Sequence, residues 1–115
     1  MDSSLRLELF GSPEASLGGQ KLAGFITVKS KALLFYLAMK PGVHGRLALA
    51  TLLWPETTEI SAAKNLRNIL SNLRKLVGAH ITITRQTVAF RRDAAYFLDV
   101  EAFSARLERF RRGGE

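Results

Sequence analysis

The sequence predicts an α+β fold, and three observations carry that prediction. Apolar residues alternate with a period of two near the start, at Leu5, Leu7 and Leu9, and again at Ile81, Ile83, Val88 and Phe90. Between these stretches lie three segments that read as helices, and Gly and Pro cluster at their borders.

Taken in order, Leu5 to Phe10 reads as a half-buried strand that turns at Gly11-Ser12-Pro13. Ala15 to Leu17 and Lys21 to Leu22 flank Gly18-Gly19 as a short hairpin, so the chain opens with a small antiparallel sheet. Ser30 to Met39 is a helix apolar on most sides, which belongs at the centre of the core and ends at Pro41-Gly42. A short second helix, Arg46 to Leu53, closes at Trp54-Pro55.

The third helix runs from near Ser61 to Val77, with Thr57 or Thr58 as candidate caps and Gly78 as its stop. At 100° per residue, Ala62, Leu66, Ile69, Leu70, Leu73, Leu76 and Val77 form one stripe. Lys64, Arg67, Asn68, Ser71 and Lys75 fall opposite it, with Arg74 at the margin. Ile81 to Arg91 is then a hairpin with Arg85-Gln86 at its tip, and Tyr96 to Leu98 reads as a further strand. A two-residue turn without Gly or Asn is poorly suited to positive φ, which points to a wider loop at that tip. Val100, Phe103, Leu107 and Phe110 follow a 3-4-3 spacing and predict a terminal amphipathic helix.

The net charge is +7, and its distribution is uneven. Ile60 to Arg92 holds Lys64, Arg67, Arg74, Lys75, Arg85, Arg91 and Arg92 and no Asp or Glu, while the two flanks carry +1 and −1. Charge confined to one helix and one hairpin points to a polyanion, most often nucleic acid. The 115 residues suffice for one domain with one core, which buries roughly two-thirds of the surface of the unfolded chain. Cysteine is absent, which excludes disulfides and thiolate metal sites and fits a reducing cytoplasm. No signal-peptide run or membrane-length apolar stretch is present.

Strands, three helices with the last amphipathic and basic, then a hairpin with Arg at its tip is the layout of a winged helix-turn-helix. The fold class expected is therefore an N-terminal antiparallel sheet, a three-helix core and a C-terminal β-hairpin wing. In that layout the third helix enters the major groove of DNA and the wing reaches the backbone or minor groove. Arg67, Asn68 and Ser71 suit base edges, since Arg pairs guanine and Asn pairs adenine through two bonds. Lys64, Arg74, Lys75, Arg85, Arg91 and Arg92 suit phosphates, which position without reading sequence.

Further segments carry a resemblance: Leu5-Arg6-Leu7-Glu8-Leu9-Phe10-Gly11, Lys31 to Ala38 (KALLFYLA), Pro41-Gly42 and Leu52-Leu53-Trp54-Pro55. Asn65-Leu66-Arg67, Leu70-Ser71-Asn72-Leu73-Arg74, Ile83 to Val88 (ITRQTV) and Asp99-Val100-Glu101-Ala102-Phe103 complete the set. The ordered set resembles the OmpR/PhoB-type winged helix of SARP-like bacterial regulators over nearly the whole chain. The resemblance implies a cytoplasmic transcription regulator that binds double-stranded DNA at promoter repeats, with a homodimer on DNA and RNA polymerase as partners in the full-length protein. It also implies residues 1–98 as the DNA-binding domain and 99–115 as a terminal helix leading into a bacterial transcriptional activation domain. Two departures stand out. Gly45-Arg46-Leu47-Ala48-Leu49 is more apolar than the family's usual second-helix start, leaving Arg46 as its phosphate contact, and the wing lacks a Gly-rich turn.

Plainer readings stand beside these. A solvated basic helix normally mixes signs for i,i+4 pairing, which this one does not. Trp54 before Pro55 is expected to anchor the core rather than stack on a base. His44 and His80 are isolated from each other, so no metal is expected, and no cofactor is implied. Neither G-x-S-x-G nor a helical acid pair occurs, and the chain is not expected to be an enzyme. Lys29 and Lys31 fit either a phosphate clamp or a solvated helix start. Arg106, Arg109, Arg111 and Arg112 lie beside an apolar stripe but share their helix with Glu101 and Glu108. That stripe is expected to dock on this domain or on the missing one, with no membrane partner. A winged helix used for protein interaction or RNA binding remains the alternative function.

Overall fold

The computed structural model describes residues 4–113, and its contacts separate into two units. Composition led to the expectation of one core. The division arises because a strand late in the chain returns to pair with the first one.

The first unit comprises the chain up to Leu22 and from Ala95 onward. Strand β1 (Leu5–Glu8) pairs antiparallel with β2 (Glu14–Leu17), which pairs with β3 (Gln20–Lys21). Gly18 and Gly19, at φ 59° and 84°, make the two-residue turn between them, a conformation that residues with a Cβ adopt at a cost. The returning strand, Tyr96–Leu98, is β7 in chain order and pairs parallel with β1, Leu5 opposite Tyr96 and Leu7 opposite Leu98. Leu5, Leu7, Ala15 and Leu98 are buried, as the period-2 pattern requires of one face.

Helix α4 (Asp99–Gly113) follows β7 without a break. The carboxylate of Asp99 accepts from the amides of Leu9 at 2.9 Å and Phe10 at 3.0 Å, joining the end of β1 to the helix start. The stripe of α4 is largely open in this unit, with Phe103, Leu107 and Phe110 50%, 47% and 57% exposed. An edge-on ring contact between Phe10 and Phe103 touches it at 5.6 Å. The side chain of Arg112 lies outside the described residues.

The second unit, Ala23–Ala94, holds α1 (Val28–Met39), β4 (Val43–Gly45), α2 (Arg46–Leu53), α3 (Glu59–Val77), β5 (Ile81–Ile83) and β6 (Thr87–Phe90). Thr27 caps α1 by accepting from Ser30 N–H, and Thr58 caps α3 by accepting from Ser61 N–H. Leu33, Leu34, Leu37, Leu49, Leu66, Leu73 and Val88 are fully buried, and Ile81 and Phe90 close the core from the hairpin. The α3 stripe is buried as expected apart from half-buried Leu76. Gly78 is the C-cap of α3, the stop expected from the sequence. Its φ of −55° is right-handed, and the chain continues into a 3₁₀ turn, Gly78–His80, before β5.

The three-stranded sheet runs β4-β6-β5, antiparallel throughout. Strand β4 was not expected, because three residues after Pro41-Gly42 are too few to show alternation. It places the first residue of α2 beside the hairpin, where Arg46 N–H donates to Gln86 C=O at 2.9 Å. In all, the described residues form an α+β fold of four α-helices and two small sheets.

Candidate nucleic-acid interface

The outer face of α3 is built by its own amphipathicity. Burying Leu66, Ile69, Leu70 and Leu73 turns Lys64, Arg67, Asn68, Ser71, Arg74 and Lys75 to solvent, and all six are exposed. Lys64, Asn68, Ser71 and Lys75 follow one another at four, three and four residues and form a row along the helix. Arg67 lies about 60° and Arg74 about 80° to one side of Lys64, by the helical repeat. Glu59 supplies the acid in the first turn, and Arg74 and Lys75 the bases in the last, each suited to the adjacent helix terminus.

The hairpin tip is a loop with no positive φ. Thr84 takes the place of the missing glycine: its Oγ1 accepts from Thr87 N–H at 2.9 Å and Gln86 N–H at 3.3 Å, and its own amide donates to Thr87 C=O. Arg85 is thereby presented at the turn of a fixed loop.

Three of the expected cations come together. Arg46, Arg67 and Arg85, from α2, α3 and the tip, line one cleft of about 220 Å³ together with Leu47, Ala50, Ala63 and Leu66. Arg91 and Arg92 are not brought there, since they follow the other end of β6. Arg91 pairs with Asp93 at 3.2 Å, and its guanidinium holds the Asp93 carboxyl below the ordinary carboxylate range. Arg92 lies 4.9 Å from the centre of the Phe90 ring and donates to Leu37 C=O, which makes it part of the packing of α1 on the sheet.

A second groove, about 490 Å³, runs on the other side of the α3 row and is lined by Lys29, Trp54, Asn65 and Asn68 among others. Trp54 was expected in the core. It is half-buried and forms a wall of this groove, with the Lys29 ammonium 5.2 Å from its ring centre. Lys29 also donates to Leu53 C=O, so it ties the start of α1 to the end of α2. His80 is buried, and His44 bonds Lys40 C=O at 2.9 Å.

Sequence reasoning missed Asn72, which lies just beside the polar face. Its amide is turned inward to α1 and the segment before it, and the visible signal was a polar residue at the edge of an apolar stripe. Among the described residues there is no group of His, Cys, Asp and Glu that could hold a metal ion, and no helix long and apolar enough to cross a membrane. The sequence matches no protein-family model and no curated protein.

Proposed function

We propose that the chain is the sequence-specific duplex-DNA-binding part of a cytoplasmic bacterial transcription regulator, built as a winged helix. In this reading α2 and α3 are the helix-turn-helix, α3 lies in the major groove, and the β5–β6 hairpin is the wing. The single observation that carries it is the acid-free exposed row on α3 next to an Arg-tipped hairpin that is hydrogen-bonded to the start of α2. A solvated helix has no need to exclude carboxylates. A helix facing phosphates does.

Within that reading Asn68 and Ser71 address base edges, and Lys64, Arg74 and Lys75 address the backbone. The resemblance to SARP-like regulators supports promoter repeats as the target, two copies on one operator, and RNA polymerase as the partner of the full-length protein. The test is selection of duplexes from a random pool at near-physiological salt. One enriched motif, preferred over bulk DNA by about 10³ or more, supports the reading. The same binding should weaken with salt at a logarithmic slope of about −0.9 for each phosphate neutralised.

A second reading, a protein- or RNA-binding module, is favoured by the exposure of Ile26, Val28 and Ile60. It forecasts weak duplex binding with no enriched motif.

A further inference from the structure

We infer that the cleft between α2, α3 and the hairpin tip is a seat for a single phosphate group, with Arg46, Arg67 and Arg85 as its ligands. This reassigns Arg67 from reading a base to gripping the backbone, and the source of the phosphate, a duplex phosphodiester, rests on the DNA-binding reading above.

Three arginines from positions far apart in sequence line this cleft, and none pairs with a carboxylate among the described residues. Like charges held together in one cleft repel, and an anion between them turns that repulsion into attraction. The rest of the lining is Leu47, Ala50, Ala63 and Leu66, which offer no acceptor from their side chains. The Nε of Arg46 is buried and has no hydrogen-bond partner, so a charged donor is already desolvated at the site. The helix that Arg46 begins adds to this. Its N-cap is Gly45, with no side-chain cap and no acid in the first turn, so no side chain of its own offsets the positive end of α2.

A phosphate suits the site better than a carboxylate. Its oxygens point in several directions and accept from several planar donor forks at once, whereas the two oxygens of a carboxylate lie in one plane. The position of Arg67, about 60° off the Lys64–Asn68–Ser71–Lys75 row, agrees with this division of labour. The row faces outward, and Arg67 turns aside to the cleft. The Arg46 N–H to Gln86 C=O bond keeps the tip, and with it Arg85, at the mouth.

The experiment compares Arg67→Met with Asn68→Ala on a matched and a random duplex, with thermal melts to show that both variants fold. Arg67→Met should weaken both duplexes by the same factor, about tenfold, and flatten the salt slope by about one. A loss confined to the matched duplex would return Arg67 to base reading and overturn the inference. In parallel, inorganic phosphate is titrated into the wild-type chain while the arginine Nε–H signals are followed by NMR. Joint movement of Arg46, Arg67 and Arg85 supports the seat even if the wild type binds no duplex, an outcome that would remove the DNA reading alone. Absence of movement, with no uniform loss in Arg67→Met, overturns the seat.

Discussion

Asn72 Oδ1 accepts a 2.6 Å hydrogen bond from Ser30 Oγ across the α1–α3 contact, and both residues are buried. The same oxygen accepts from Ile26 N–H at 3.1 Å, and Asn72 Nδ2 donates to Gly24 C=O at 2.9 Å. One amide thus fixes the segment that leads into α1 against the helix that carries the polar row. Asn72→Ala strands three partners at once and is expected to destabilise the fold by about 2–3 kcal/mol. Ser30→Ala should cost about 1 kcal/mol, and the double variant less than the sum. Urea unfolding of the three variants measures this.

Asp99 gives the first unit a dependence on acid. Its partial burial disfavours the charge, but the amides of Phe10, Leu9 and Val100 outweigh that cost and hold its carboxyl below the ordinary value of 3.8. A depressed carboxyl contributes stability that is present above pH 3.8 and lost as the pH falls through the lower folded value. Asp99→Asn should therefore be less stable than wild type at neutral pH, with the difference shrinking in acid. Hydrogen exchange at Leu9 and Phe10 as a function of pH checks the sign. The exposed Arg91–Asp93 pair shifts in the same direction and should contribute little.

The elements that could be read from sequence were those with enough residues to display a period. The stripe of α3 spans more than four turns, so its register and its exposed row were legible from the order of residues alone, and its cap was narrowed to Thr57 or Thr58. Strand β4 has three residues and no alternation, and it owes its existence to pairing with β6. The same limit hid the cleft. Arg46, Arg67 and Arg85 were each legible in sequence as candidate DNA contacts, but only the β4–β6 pairing and the packing of α2 on α3 make them neighbours. Gly78 marked the end of α3 correctly but did not reveal the turn that follows it. Glycine permits a left-handed stop but does not require one, and the chain used its right-handed conformation to enter the 3₁₀ turn. The α4 stripe was legible as a pattern, but periodicity does not say what lies opposite.

Thr84 does for the hairpin tip what glycine does elsewhere. Thr84→Val keeps the shape and removes the acceptor for the Gln86 and Thr87 amides. The loop is exposed, so the expected cost is about 1 kcal/mol, read as faster hydrogen exchange at those two amides. If the tip presents Arg85 to a duplex, the variant should also bind matched and random DNA several-fold more weakly. A loop that loosens without any change in DNA affinity would separate the wing from the interface.

Asn68 and Lys75 lie on one exposed row of α3, seven residues apart, and their chemistry separates reading from holding. An amide offers a donor and an acceptor side by side, the arrangement that matches the edge of adenine, whereas an ammonium is a point charge with no acceptor. Asn68→Ala should weaken a selected duplex by about 1–3 kcal/mol and relax preference at one base position. Its affinity for random duplex should be unchanged. Lys75→Ala should weaken every duplex alike and flatten the salt slope by about one. Equilibrium binding of both variants to the selected site, to single-base variants of it and to random DNA, each at two salt concentrations, distinguishes them. Equal losses for Asn68→Ala on all duplexes would mean that α3 follows the backbone along its whole exposed row, and that any preference for sequence arises from the shape of the DNA.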